Sequence, residues 1–175
     1  MWVARVLAGI VLLGLMANSS LAQSAMTLKD QLIGTWIHVT TEVAAPDGKK
    51  SLPFGDTPNG ILIFTPGGHF AQIHIASDVP KIASNNRLTG TPEEYKAISQ
   101  RSLSIFGTYT VDEEKKTVTF KVTSGTFPNM AGESQTRVIE TLTADEFKNT
   151  TTVAGGRGSA FNLYKRAERS PTTRA

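Results

Sequence analysis

Apolar and polar residues alternate with a period of two along most of this chain, and that rhythm predicts strands rather than helices. Trp36–Val43 reads as the first strand, closed by the turn Pro46-Asp47-Gly48. Ile61–Thr65 and His69–Ala76 flank Pro66-Gly67-Gly68, the signature of a hairpin. Phe106–Val111 and Thr117–Thr123 form a second hairpin across Asp112–Lys116. Gln135–Leu142, Phe147–Val153 and Ser159–Lys165 complete a meander, with turns at Thr143-Ala144-Asp145 and Gly155-Gly156-Arg157-Gly158. The pattern thus predicts an all-β domain of about eight strands, the number at which an antiparallel up-and-down barrel just holds its side chains or one small ligand.

Two segments depart from the strand rhythm. Thr27 with Asp30 caps one short helical turn ending at Gly34. Thr91-Pro92-Glu93-Glu94 supplies an N-cap, a proline at the first helical position and a capping-box glutamate, predicting a helix over about 92–104. Tyr95, Ile98, Ser102 and Phe106 give that helix one apolar stripe, which would cover the barrel wall or its mouth. Its approach, Ser77–Gly90, is rich in small and polar residues.

The parity of each strand nominates an interior. With Trp36 inward, His38, Thr40 and Glu42 follow it in, while Ile37, Val39 and Val43 face out. Phe70, Gln72, His74 and Ala76 share one face of their strand, and Gln135, Arg137, Ile139 and Thr141 share one face of theirs. The expected cavity lining is His38, Gln72, His74, Tyr109, Phe120 and Arg137, with Phe64 and Ile98 nearby. A few polar groups in an apolar cavity are the usual make-up of a small-molecule site. Each polar residue also has a purely structural reading. The histidines can be hydrogen-bonded packing residues, and Arg137 can fix a ligand carboxylate or pair with Glu140 or Glu42 on the rim.

The N-terminus changes the expected compartment. Arg5, the apolar run Val6–Ala17 and the small residues of Ser20-Leu21-Ala22 form a cleavable signal peptide over residues 1–22, with the cut after Ala22. The apolar run falls short of the ~20 residues that span a bilayer. A periplasmic or secreted protein is therefore expected, with no membrane span in the mature chain. There is no cysteine at all, so stability rests on packing and sheet closure rather than disulfides.

Charge excludes more than it suggests. The formal net charge is +3, but Lys165, Arg166, Arg169 and Arg174 crowd the C-terminal end and leave the body slightly acidic. The high isoelectric point thus belongs to a polar tail, expected to be disordered over 168–175, and no nucleic-acid surface is indicated. Three histidines are present. His69 and His74 fall on opposite faces of one strand, and no third ligand joins His38 and His74, so no metal site and no cofactor is expected, the alternative being a haem held by one axial histidine, His38 or His74. Nucleophilic hydrolysis finds no Gly-x-Ser-x-Gly and no cysteine.

Ordered motifs add a resemblance. Leu32-Ile33-Gly34-Thr35-Trp36, Pro53-Phe54-Gly55 and Asn59-Gly60-Ile61-Leu62-Ile63-Phe64-Thr65-Pro66-Gly67-Gly68 occur in order. Gly90-Thr91-Pro92-Glu93-Glu94-Tyr95, Phe106-Gly107-Thr108-Tyr109-Thr110-Val111-Asp112, Phe127-Pro128-Asn129 and Gln135-Thr136-Arg137 follow. Together they resemble the bacterial and fungal lipocalin-like domain family over nearly all of residues 28–167, consistent with a single barrel domain over 23–167. Met130 departs from the tryptophan expected after Pro-Asn and softens that wall. The resemblance implies a calycin-type barrel that binds a small, mostly apolar molecule, and no particular reaction. It also implies that Trp36 plugs the closed end with Arg166 stacked over it, a contact worth roughly 0.5–1 kcal/mol when exposed, and that Gly34 permits close chain approach there.

Two main classes of function stand at this point, beside a third in which the outer wall serves a structural or inhibitory partner. One is an exported barrel that binds or carries a small lipophilic ligand. The alternative is an isomerase or cyclase on a lipophilic substrate, with His38 or His74 as general base and Tyr109 as acid. The pattern carries no signal for oligomeric state.

Overall fold

The computed structural model describes residues 26–153 and 158–168. The leader expected at 1–22, most of the glycine turn at 155–158 and all but the first residue of the tail at 168–175 lie outside the described residues.

The strands are β1 (Gly34–Ala44), β2 (Lys50–Ser51), β3 (Asn59–Phe64), β4 (His69–Ile75), β5 (Ser102–Asp112), β6 (Thr117–Gly125), β7 (Ser134–Leu142), β8 (Glu146–Thr152) and β9 (Ser159–Arg166). From β3 to β9 each strand pairs antiparallel with the next, and β1 joins β3 on one side and β9 on the other. The sheet therefore closes on itself as an all-β, up-and-down barrel of eight strands, with β2 a two-residue flap on β1. Closure leaves no long edge unpaired, which a chain without disulfides needs for stability and solubility.

A short helix, α1 (Leu28–Leu32), seals one end. Thr27 Oγ1 accepts from the Asp30 amide at 3.1 Å, and the Glu113 carboxylate accepts from the Leu28 and Lys29 amides at 2.9 and 3.2 Å. A carboxylate is favoured there because those amides have no partner within the helix. Trp36 is fully buried beneath it and donates its Nε1 proton to the Leu32 carbonyl at 2.8 Å. The Arg166 guanidinium lies 4.0 Å over the Trp36 ring. It also donates to the carbonyls of Ile33 (3.0 Å), Gln31 (2.7 Å) and Ala144. Gly34 has φ +126°, and a Cβ there would stand 3.0 Å from Arg166 Nη1. This end is the floor of the barrel.

Above the floor the interior is filled by aromatic rings. Phe64 packs edge-on against Tyr109 at 4.8 Å and Phe120 at 5.7 Å, Phe70 stacks on Phe120 at 4.1 Å, and Phe147 meets Trp36 at 5.7 Å. Tyr109 spends its hydroxyl on the Thr65 carbonyl at 2.9 Å, pinning the β3–β4 turn.

Two local features differ from the periodic reading. A bulge between His38 and Thr40 shifts the register of β1 against β9. Strict alternation would place Thr40 and Glu42 inside and Val43 outside; the extra residue instead turns Thr41 and Val43 inward, and Glu42 pairs with Lys50 at 2.7 Å on the outside. The helix α2 (Pro92–Gln100) carries the expected capping box at Thr91 and Glu94 but stops before 104, because Ser102 already pairs with Ile75 in the sheet. Tyr95 donates to the Arg87 carbonyl and accepts from the Gly90 amide, so the helix ties down its own approach loop. None of its residues is buried, and Phe106 lies on the outer wall.

Candidate functional site

The half of the barrel away from α1 is hollow. A cavity of about 280 Å³ opens there, between the ends of the strands that hold Val43, Leu103 and Thr152. Its apolar walls come from Val43, Pro53, Phe54, Leu103, Phe127 and Met130, and its polar groups include Thr41, Gln72, His74, Gln135, Arg137 and Asn162. Phe54 and Met130 reach it from loops, the first from the segment after β2 and the second from a 3-10 turn at Pro128–Met130.

Of the lining expected from strand parity, Gln72, His74 and Arg137 face the cavity. His38, Phe64, Tyr109, Phe120 and Ile98 do not. Phe64, Tyr109 and Phe120 share the correct inward face but sit lower, in the solid aromatic layer over the floor. Ile98 stays on the outer helix. Depth along the barrel separates these groups, and parity carries no information on depth.

His38 lies behind His74. The two imidazoles stack with centroids 3.7 Å apart and planes 9° from parallel. His38 Nε2 pairs with Thr41 Oγ1 at 2.8 Å, Thr41 donates to Asn162 Oδ1 at 2.9 Å, and Asn162 donates to Asn149 Oδ1 at 3.2 Å. On the other side His74 Nε2 pairs with the Tyr164 hydroxyl at 3.0 Å. Phe54 packs edge-on over both rings, 5.1 Å from His74 and 5.8 Å from His38.

Burial controls the charge states. Desolvation lowers His38 to about 4, opposed weakly by a backbone hydrogen bond at Thr40. It pushes His74 well below the usual imidazole range, and the charges of His38 and Arg137 push the same way. Both rings are therefore neutral at neutral pH. Desolvation raises the Tyr164 phenol to about 12, with the Arg137 guanidinium opposing.

Arg137 is 3% exposed. Its guanidinium lies 4.1 Å over the Phe120 ring and donates from Nη2 to Gln135 Oε1 at 3.4 Å. Neither rim acid expected as an alternative partner reaches it: Glu42 holds Lys50, and Glu140 accepts from Thr150. Nε and Nη1 of Arg137 are buried without an acceptor, and so is the Gln72 Oε1 atom without a donor. No Asp or Glu is buried among the described residues.

Thr41, Phe54 and Asn162 line the cavity although strand parity does not indicate them, while Met130 stands in the wall that its departure from tryptophan is expected to soften. The isolated apolar pairs Pro53-Phe54 and Phe127-Pro128 inside polar loops were the available signal, since loop aromatics need a place to bury. Among the described residues no cluster of three or more His, Asp or Glu could hold a metal ion, and no helix is long and apolar enough to cross a membrane.

No curated protein sequence matches the chain. Among solved structures it is similar to a redesigned β-barrel, with 16% identity, TM-score 0.42, and coverage of 83% of this chain and 99% of that one. It is also similar to a fluorescence-activating barrel designed de novo, with 14% identity, TM-score 0.43, and coverage of 79% and 96%. A family model described as a lipocalin-like domain matches residues 33–163, from the floor beside Trp36 to the last strand. The chain belongs to the lipocalin-like domain family.

Proposed function

We propose that this protein is exported, loses residues 1–22, and binds a small, mostly apolar molecule in the mouth of its barrel. The observation that carries the reading is the division of the interior. The floor half is packed solid with aromatic rings, while the mouth half keeps a cavity of about 280 Å³ walled by Phe54, Leu103, Phe127 and Met130. Its volume lies near the lower end of the ~300–1,000 Å³ typical of ligand sites, so the ligand is small. Catalysis by an isomerase or cyclase is less well supported. Tyr109, its candidate acid, is bonded to Thr65 below the cavity, and the Nε2 atoms of His38 and His74 are both engaged.

Native mass spectrometry of the protein purified from its own host tests the reading. The expected spectrum shows a chain beginning at Gln23 and a bound small molecule released on mild activation. A chain that keeps its leader overturns export. Binding is overturned by a protein that arrives empty and takes up no apolar compound from a screen.

A further inference from the structure

We infer that the ligand carries an anionic head, a carboxylate in the simplest case, and that Arg137 is its counter-ion. The inference rests on the cavity being the ligand site. Arginine stays charged in proteins, and an isolated buried charge costs several kcal/mol unless it is paired and hydrogen-bonded. Arg137 is 3% exposed, lines the cavity and has no carboxylate partner; the Tyr164 phenol beside it stays neutral and leaves the charge uncompensated. Its Nε and Nη1 donors stand without acceptors. Each bidentate edge of a guanidinium pairs an Nη2 proton with Nε or with Nη1; Gln135 takes one Nη2 proton, so one edge keeps both of its donors for a carboxylate.

The surroundings favour an anion over a neutral head. Phe120 stacks against the guanidinium at 4.1 Å and holds its plane, so little order is lost on binding. The two nearby histidines are held neutral, so the charge facing the cavity is that of Arg137. Gln72, with a buried oxygen that has no donor, can turn its amide to present NH₂ to the same head. The same cavity is walled by Phe54, Leu103, Phe127 and Met130, which suit an alkyl or aryl body. The occupant is thus a short amphiphile with its charge inward and its apolar part toward the mouth.

Isothermal titration of the mature chain with matched series tests this. The ligands are the carboxylates from hexanoate to dodecanoate, the alcohols of the same chain lengths, the corresponding alkyltrimethylammonium salts, and acetate. The expected result is that the best carboxylate binds about tenfold or more tighter than its alcohol, with the cation and acetate weaker still. Arg137→Met should abolish the preference for carboxylate over alcohol and leave alcohol binding in place. Arg137→Lys, which keeps the charge but loses the planar fork, should retain a reduced preference. The melting temperature of ligand-free Arg137→Met should equal or exceed that of the wild type, since a buried unpaired charge has been removed. Equal binding of alcohol and carboxylate, or an unchanged preference in Arg137→Met, overturns the anionic head while leaving the binding reading intact. A marked fall in the melting temperature of the ligand-free variant also overturns it, by making Arg137 a structural residue. Acetate as tight as the longer acids assigns a simple anion site and overturns the amphiphile. Failure of every compound to bind overturns the cavity reading itself.

Discussion

The imidazoles of His38 and His74 stack face to face at 3.7 Å inside the barrel, and each spends its Nε2 atom on a hydroxyl, of Thr41 and Tyr164 respectively. Neither ring meets a carboxylate, since the buried polar set contains no acid among the described residues. Protonating either ring would set a cation against its neighbour's face with Arg137 nearby, so both stay neutral. Their folded pKa values lie below the unfolded value of 6.5, His38 at about 4. The unfolded chain therefore binds more protons than the folded one between those limits. The contribution to stability is complete above pH 6.5 and is lost as pH falls toward 4, at up to about 1.4 kcal/mol per pH unit for each histidine. Urea denaturation at a series of pH values checks this. Replacing His38 by Gln should reduce the slope in that window by about one proton, and a slope unaffected by the replacement would sink the assignment.

The floor should be sensitive to small changes. Arg166 combines the stack over Trp36 with hydrogen bonds to the carbonyls of Ile33, Gln31 and Ala144. Lysine cannot reproduce that fork, so Arg166→Lys should cost about 1–3 kcal/mol. Gly34→Ala should cost a similar amount, about 1–3 kcal/mol, because it places a Cβ at φ +126° and 3.0 Å from Arg166 Nη1. Both effects are read as shifts of the urea midpoint at constant m-value.

Tyr164→Phe removes one hydroxyl and leaves a buried His74 Nε2 without its partner. The expected loss is about 1–3 kcal/mol, the cost of an unsatisfied buried group rather than of an average hydrogen bond. A midpoint within error of the wild type would show that water satisfies the ring nitrogen instead.

Phe54 borders the cavity and covers both histidines edge-on. Phe54→Ala should enlarge the cavity at a cost of about 3 kcal/mol, the low end for such truncations because the ring already borders open space. Titration with the hexanoate-to-dodecanoate series should then find its optimum at a longer chain than in the wild type. An unchanged optimum would mean that the apolar body does not pass beneath Phe54.

The strands and their turns are legible in the chain because their causes are local, whereas the sealed end, where Arg166 meets Trp36 from far along the chain, is implied only by the family resemblance. Period-two alternation sets which side of β3 through β9 is apolar, Pro66-Gly67-Gly68 sets a tight turn, and Thr91 with Glu94 starts a helix from within four residues. Register and depth are different in kind. The bulge after His38 that brings Thr41 inside exists only in the pairing of β1 with β9, more than a hundred residues away in sequence. Likewise Arg137, Phe120 and Tyr109 all face inward by parity, yet only Arg137 reaches open space. Taken alone, the sequence determines an alternating chain of about eight strands, and its family resemblance implies Trp36 at the floor. The tertiary structure decides which inward residues are packed solid, which border the cavity, and that the guanidinium of Arg137 meets no acid there. That decision needs the closed barrel, since a side chain's neighbours across the interior come from strands that the local pattern cannot align.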